Sequence, residues 1–249
     1  MNDADFNRGA IRPIECFSQG WAMIKDQFWL FVGITLVAML IMQALPLILM
    51  GPMMCGLYIC LLHKMRGEQV EFGQLFKGFD QFVPGLLVGL IQAVPILIAT
   101  AVIAVPSVVT LIALAPQPAR RGAPPPSPEP MFFIVLALMV LGIMVVAMVA
   151  SMLFIFSFPL LVERQMAPLE AVKTSAKAVI GNLGGVFGLL LLNLVGSLAG
   201  FMLCYVGALL FMPVTFAAYT VAYRQVFPAP YAPAGYAPPA PPQWGAPQV

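Results

Sequence analysis

The sequence predicts an all-α integral membrane protein of about six transmembrane helices, grouped in repeated units of one amphipathic interfacial helix plus two spans. Three observations carry that expectation. First, 61% of the residues are hydrophobic and only 9% charged, where a soluble domain has roughly 45–50% apolar and about 25% charged residues. A soluble chain so poor in charge would expose large apolar patches, whereas in lipid those side chains face acyl tails. Second, several uncharged runs are long enough to cross the roughly 30 Å hydrocarbon core of a bilayer. Third, a Pro-apolar-Glu motif and the apolar stripe that follows it occur twice. The 249 residues suit about six spans, because each needs roughly 20.

Residues 1–11 form a polar leader. Its acidic start has no short apolar core with a cleavage site, so it is not read as a secretory signal peptide, and the first span is expected to act as an uncleaved insertion signal. Over 12–27, Ile14, Phe17, Trp21, Ile24 and Phe28 share one helical face, with Glu15, Gln19, Lys25 and Asp26 elsewhere. Span one runs from Phe28 to about Leu49. Gly51-Pro52 reads as a turn, which leaves Met53 to about Leu62 as a second span too short to cross unaided, or re-entrant. His63–Asp80 holds a charged loop and a second amphipathic segment marked by Phe72, Leu75, Phe76, Phe79 and Phe82.

Val83 to about Ala115 carries no charge over about 33 residues, roughly 50 Å as helix. Pro95 and Pro106 interrupt it, so a kinked or tilted third span is expected. Residues 116–130 form a proline-rich exposed loop. Met131–Val162 is the fourth span. Residues 168–182 make a third amphipathic helix, with Leu169, Val172, Ala176, Val179 and Leu183 on its apolar face and Lys173 and Lys177 opposite. Spans five and six cover about 184–204 and 206–223. A single membrane domain thus spans 12–227, and 228–249 is a disordered or polyproline-like tail of Pro, Ala, Tyr and Gly.

Pro13-Ile14-Glu15 recurs 155 positions later as Pro168-Leu169-Glu170, and at the same shift the stripe 14/17/21/24/28 lands on 169/172/176/179/183 and Gly33 on Gly188. Pro52 with Tyr58 is echoed by Pro213 with Tyr219. A looser middle copy aligns Gly85 and Gly89 with Gly184 and Gly188, and Gln43-x-x-Pro46 with Gln92-x-x-Pro95. Its glycines and its aromatic stripe favour registers two residues apart. The units would be 12–65, 70–163 and 167–226.

Of the 12 Lys and Arg residues, Arg8, Arg12, Lys25, Lys64, Arg66, Lys77, Arg164, Lys173, Lys177 and Arg224 fall on one side of this topology. Only Arg120 and Arg121 fall on the other. That bias places both termini and the amphipathic helices in the cytoplasm and the protein in the inner (plasma) membrane. The amphipathic helices then either lie in the inner leaflet or pack on the spans, two readings that are compatible. Trp21 and Trp29 suit an interfacial aromatic belt. The formal net charge of +2 gives no reason to expect a nucleic-acid partner. The expected partners are the lipid bilayer and, through the cytoplasmic helices or the tail, other proteins. Oligomeric state is left open.

No Asp, Glu, Lys, Arg or His lies well inside a span, which argues against a proton-coupled pump or voltage sensor. His63 is the only histidine, too few for a zinc cluster, and no nucleophile or phosphate-loop motif occurs. Cys16, Cys55, Cys60 and Cys204 show no CxxC spacing and read as packing residues. No catalytic residue, metal ligand or cofactor is expected. The intramembrane polar positions of interest are Gln43, Gln92 and Asn193. The two glutamines could form a shared polar site, or could bond across helices and satisfy carbonyls freed by Pro46 and Pro95. The GxxxG pairs Gly85/Gly89, Gly184/Gly188 and Gly196/Gly200 are candidates for close helix packing.

One segment carries a family resemblance. A span ends in Pro159-Leu160-Leu161-Val162, Glu163-Arg164 follows, and Glu170-Ala171 with Ser175 gives Glu-Ala-x-x-x-Ser on an amphipathic helix. With Arg66-Gly67-Glu68 ahead of Phe72, the Gly-rich span and the closing Tyr223-Arg224, this resembles bacterial polytopic membrane proteins of unknown function. Some of their relatives form the membrane domain attached to glycerophosphodiester phosphodiesterases. The resemblance covers most of 10–227, not the 116–130 loop or the tail, and brings over no catalytic residue. The expectation is a non-enzymatic membrane module that organises or regulates partners at the cytoplasmic leaflet. A small-solute transporter or lipid-handling protein is the alternative.

Overall fold

Prolines set where several helices begin. Pro13, Pro46 and Pro168 sit in the first turn of theirs, where the missing N–H costs nothing because it would have no intrahelical acceptor. The computed structural model describes residues 6–113, 130–202 and 206–228, and all described elements are helical. They are α1 Pro13–Ile24, α2 Phe28–Ala44, α3 Pro46–Met65, a 3-10 segment Phe72–Gln81, α4 Phe82–Ala113, α5 Pro130–Leu153, α6 Ser157–Arg164, α7 Pro168–Ile180, α8 Leu183–Met202 and α9 Val206–Val226. Among the described residues, six helices are long and apolar enough to cross a membrane. The chain is a multi-pass membrane protein.

Two span boundaries differ from the sequence reading. The first break falls at Leu45, not at Gly51-Pro52: Leu45 has φ −143° and ψ 78°, because the ring of Pro46 disfavours helical geometry in the residue before it. Gly51 and Pro52 lie inside α3, which is therefore a full 20-residue span rather than a short or re-entrant one. The fourth run is interrupted at 154–156. Pro159 cannot donate to the carbonyl four residues back and crowds it, so the helix stops and restarts as α6, with Pro159 in a tolerant first turn. Ser175 of α7 fills the gap: its hydroxyl donates to the Leu153 carbonyl (2.7 Å) and accepts from the Phe156 N–H (3.2 Å). By contrast α4 stays helical for 32 residues, through both Pro95 and Pro106.

The buried side chains concentrate in α3, α6 and α9 and in the faces turned toward them. One cluster joins Phe31, Ile34, Met53, Tyr58, Leu61, Phe158 and Ala217, and another joins Phe156, Leu160, Ala178, Val186, Ala222, Tyr223 and Phe227. Helices α4, α5 and α8 instead expose rows of Leu, Val, Ile and Met, surface that only acyl chains can cover without penalty.

The three amphipathic segments dock on spans through small residues. A Cβ on Gly20 of α1 would stand 2.8 Å from the Ala218 nitrogen of α9. A Cβ on Gly56 of α3 would strike the Leu75 carbonyl, and one on Gly78 the Pro52 carbonyl. In α7 the buried positions are Ala171, Thr174, Ser175, Ala178 and Val179. The apolar stripes are divided: Ile24 and Val179 are buried, but Ile14 is 78% exposed, Trp21 46% and Leu169 53%. The segments thus use a small-residue face to pack on the bundle and offer bulky apolar side chains outward, so both compatible readings of their placement have structural footing.

The leader is not a loose polar end. Within its described part, the Asn7 N–H donates to the Val226 carbonyl (2.8 Å), and the Asn182 side chain accepts from the Ala10 N–H (2.9 Å) while donating to the Asn7 carbonyl (3.0 Å). Residues 1–5, the loop 114–129 with Arg120 and Arg121, Cys204 and the tail from 229 onward lie outside the described residues, as do the Ser107 and Thr110 side chains.

Candidate functional site

The apolar helices α3, α6 and α9 each end where charge begins, and their ends meet. Arg66 caps α3, Glu163 and Arg164 close α6, and Tyr223 and Arg224 occupy the last turn of α9. Glu163 sits between them with its side chain 4% exposed. One carboxylate oxygen lies 2.6 Å from Arg224 Nη2 and 3.5 Å from Arg66 Nη2, and the other accepts the Tyr223 hydroxyl at 2.7 Å. A carboxylate so far from water would be costly without partners, and here two guanidiniums and a phenol supply them. Arg224 holds the short contact, while Arg66, about half exposed, makes the long one.

Further polar ties surround this centre. Lys64 reaches Asp26 (2.6 Å) and Gln27 (3.0 Å), joining the end of α3 to the start of α2. His63 lies 3.3 Å from Glu68. The Arg164 guanidinium lies over the Phe227 ring at 5.2 Å and donates to the Pro228 carbonyl. Two cavities open beside the cluster. One, of about 380 Å³, is bounded by α3 and α6 and by the Phe72–Gln81 segment, which contributes Lys77, Asp80 and Gln81. The other, of about 390 Å³, lies between α1, α3 and α9 and includes Gln19, Lys64 and Arg224. No group of three or more His, Cys, Asp or Glu among the described residues is placed to hold a metal. What the arrangement offers chemically is fixed charge at one end of the bundle with polar space beside it.

The polar positions singled out in the sequence lie elsewhere. Gln43 is exposed near the end of α2, and Gln92 of α4 is half-buried with its side-chain oxygen unpartnered among the described residues. No hydrogen bond joins the two. Asn193 accepts from Thr215 (2.9 Å), tying α8 to α9, and from Ser197 (3.5 Å). Thr100 and Ser151 bond back to carbonyls of their own helices. Gly85 and Gly89 lie against Gly51, and Gly196 and Gly200 against Phe211 and Ala208 of α9. Gly188 receives the Pro13 ring, while Gly184 faces open space.

Sequence reasoning did not select Glu163, Tyr223, Arg224, Ser175 or Asn182 as site residues. Glu163 had a usable signal, being the first charge after the uncharged run 131–162. Its pairing with residues about 60 and 100 positions away had none.

The sequence model of one protein family matches residues 24–229, and the description of that family is "Protein of unknown function (DUF975)". No curated protein and no solved structure matches the chain.

Proposed function

The chain belongs to this family of unknown function, DUF975, and from that premise we propose that it is a non-enzymatic module of the inner (plasma) membrane, with both termini cytoplasmic, that organises or regulates protein partners at the cytoplasmic leaflet. One observation carries the reading. The charged groups of the described spans gather at a single end, where Glu163 ties Arg66 of one helix end to Arg224 of another, while most of the outer surface of α4, α5 and α8 is apolar and suited to lipid. A rigid charged end framed by three docked interfacial segments is a platform rather than a pathway.

The proposal includes a threefold repeat. Cys16, Gly20 and Ile24 of α1, all buried, stand 155 positions before the buried Ala171, Ser175 and Val179 of α7. Pro52, Met53, Gly56 and Leu57 of α3 stand 161 before the equally buried Pro213, Val214, Ala217 and Ala218 of α9. Each interfacial segment rests on the second span of the unit before it: the Phe72–Gln81 segment on α3, α7 at the α5–α6 break, and α1 on α9. That order closes a ring.

Photo-crosslinking side chains placed at Glu71 and Lys173, both exposed near the charged end, test the role in intact cells. Discrete protein adducts are expected at these sites and not at the lipid-facing Val102 and Leu138. Lipid adducts alone at all four sites would reject the reading.

A further inference from the structure

The cavity between α3, α6 and the Phe72–Gln81 segment has an unusual balance of charge. Arg66 contributes a guanidinium whose one acceptor among the described residues, Glu163, is 3.5 Å away and already held more closely by Arg224. Most of its donors are therefore free to face the cavity. Lys77 and Asp80, which also line it, make no hydrogen bond or ion pair among the described residues. In a 3-10 helix, residues three apart share one face, so Lys77 and Asp80 both stand on the side of the segment that lines the cavity. A plain anion would meet Arg66 and Lys77 but also Asp80, beside Glu163, whose charge Arg224 already holds. A ligand with a phosphate and a primary ammonium a few atoms apart satisfies all three.

The position of the cavity narrows the source. Its floor includes Ile59, Leu62 and Val162, and its charges lie at the boundary where the apolar spans end. The same segment turns Phe72, Phe76 and Phe79 outward, each about two-fifths exposed. One face of the segment thus meets acyl chains while the other lines the cavity, the arrangement an interfacial helix adopts at headgroup depth. About 380 Å³ is within the size range of small-ligand sites, roughly 300–1,000 Å³.

We propose that this cavity binds a phosphoethanolamine group, phosphate against Arg66 and Lys77 and ammonium against Asp80, supplied by a membrane phospholipid. The assignment does not rest on the partner-organising role and stands or falls separately from it.

The full chain in detergent, loaded with phosphatidylethanolamine, phosphatidylcholine or phosphatidylglycerol and read by native mass spectrometry, provides the test. Phosphatidylethanolamine should be retained preferentially, because a quaternary ammonium cannot donate to Asp80 and a glycerol headgroup brings no cation. Lys77→Glu should weaken its retention about tenfold or more, the scale of a lost charge-assisted hydrogen bond. Asp80→Asn should retain phospholipid but lose the preference among the three. Both residues are exposed and unpaired, so neither change removes a packing contact. Competition by soluble glycerophosphoethanolamine at concentrations comparable to the lipid would keep the phosphoethanolamine chemistry and overturn the lipid as its source. Equal retention of all three lipids, or retention unchanged in both variants, would overturn the site.

Discussion

At the residue scale the structure turns on Glu163. Its burial makes the value of its partners asymmetric. Glu163→Ala would leave Arg224, whose side chain is only about a quarter exposed, without its close counter-charge, and Nη1 of that arginine has no partner among the described residues even now. Breaking a buried pair from one side costs about 3–5 kcal/mol. Arg66→Ala removes only a long contact from a half-exposed side chain, worth at most about 1 kcal/mol. Thermal unfolding in detergent should therefore separate the two variants widely, and Glu163→Met combined with Arg224→Met should recover much of the first loss. Equal destabilisation by Glu163→Ala and Arg66→Ala would contradict the geometry. Little of this was legible beforehand. A charge at a span end reads as interfacial, and only the meeting of three distant helix ends makes it a buried hub.

At the element scale the interfacial segments depend on missing side chains. Gly20 faces the backbone of Ala217 and Ala218, which cannot rotate away as a side chain could. Gly20→Leu should therefore pry α1 from α9 and expose Cys16, which is fully buried beside Gln225. In a chain with Cys55, Cys60 and Cys204 changed to Ala, maleimide should label Cys16 faster in Gly20→Leu, whereas Gly33→Leu, where a Cβ meets nothing, should label like the parent. Ser175→Ala should cost about 1–3 kcal/mol, because it strips the Leu153 carbonyl and the Phe156 N–H of their shared partner in the buried gap. A variant as stable as the parent would mean that the gap closes another way. The sequence disclosed these elements but left open whether their apolar stripes meet lipid or the spans, and the structure divides the stripes between the two. In water the bulky apolar stripe of a helix turns inward, but beside lipid it has no cause to, and close packing falls to Gly, Ala, Ser and Cys. The same bias explains the break placed at Gly51-Pro52: a glycine that reads as a turn is spent here on contact with Gly85.

At the scale of the whole molecule, helix parity and charge make one argument. Helices α3, α6 and α9 end together at Glu163, so each runs toward the charged end, and α2, α4 and α8, which precede them in alternation, run away from it. Six crossings in that order return the chain to the starting side each time. In this order α4 ends and α5 begins on the far side from Glu163. The membrane holds cations preferentially on the cytoplasmic side, and ten of the twelve basic residues belong to the Glu163 side in this arrangement. The six long runs were legible because a charge within apolar lipid is too costly to pass unnoticed, while the orientation drawn from the few cations is a proposal for labelling to test. The expected outcome is compartmental. In a cysteine-free background, a membrane-impermeant thiol reagent should label Gly122→Cys in intact cells, and Glu68→Cys and Lys173→Cys only after the membrane is opened. Labelling of Gly122→Cys and Glu68→Cys under the same condition would mean an even number of crossings between them, where this topology has one. The meeting of three helix ends at one carboxylate could not then describe the inserted protein.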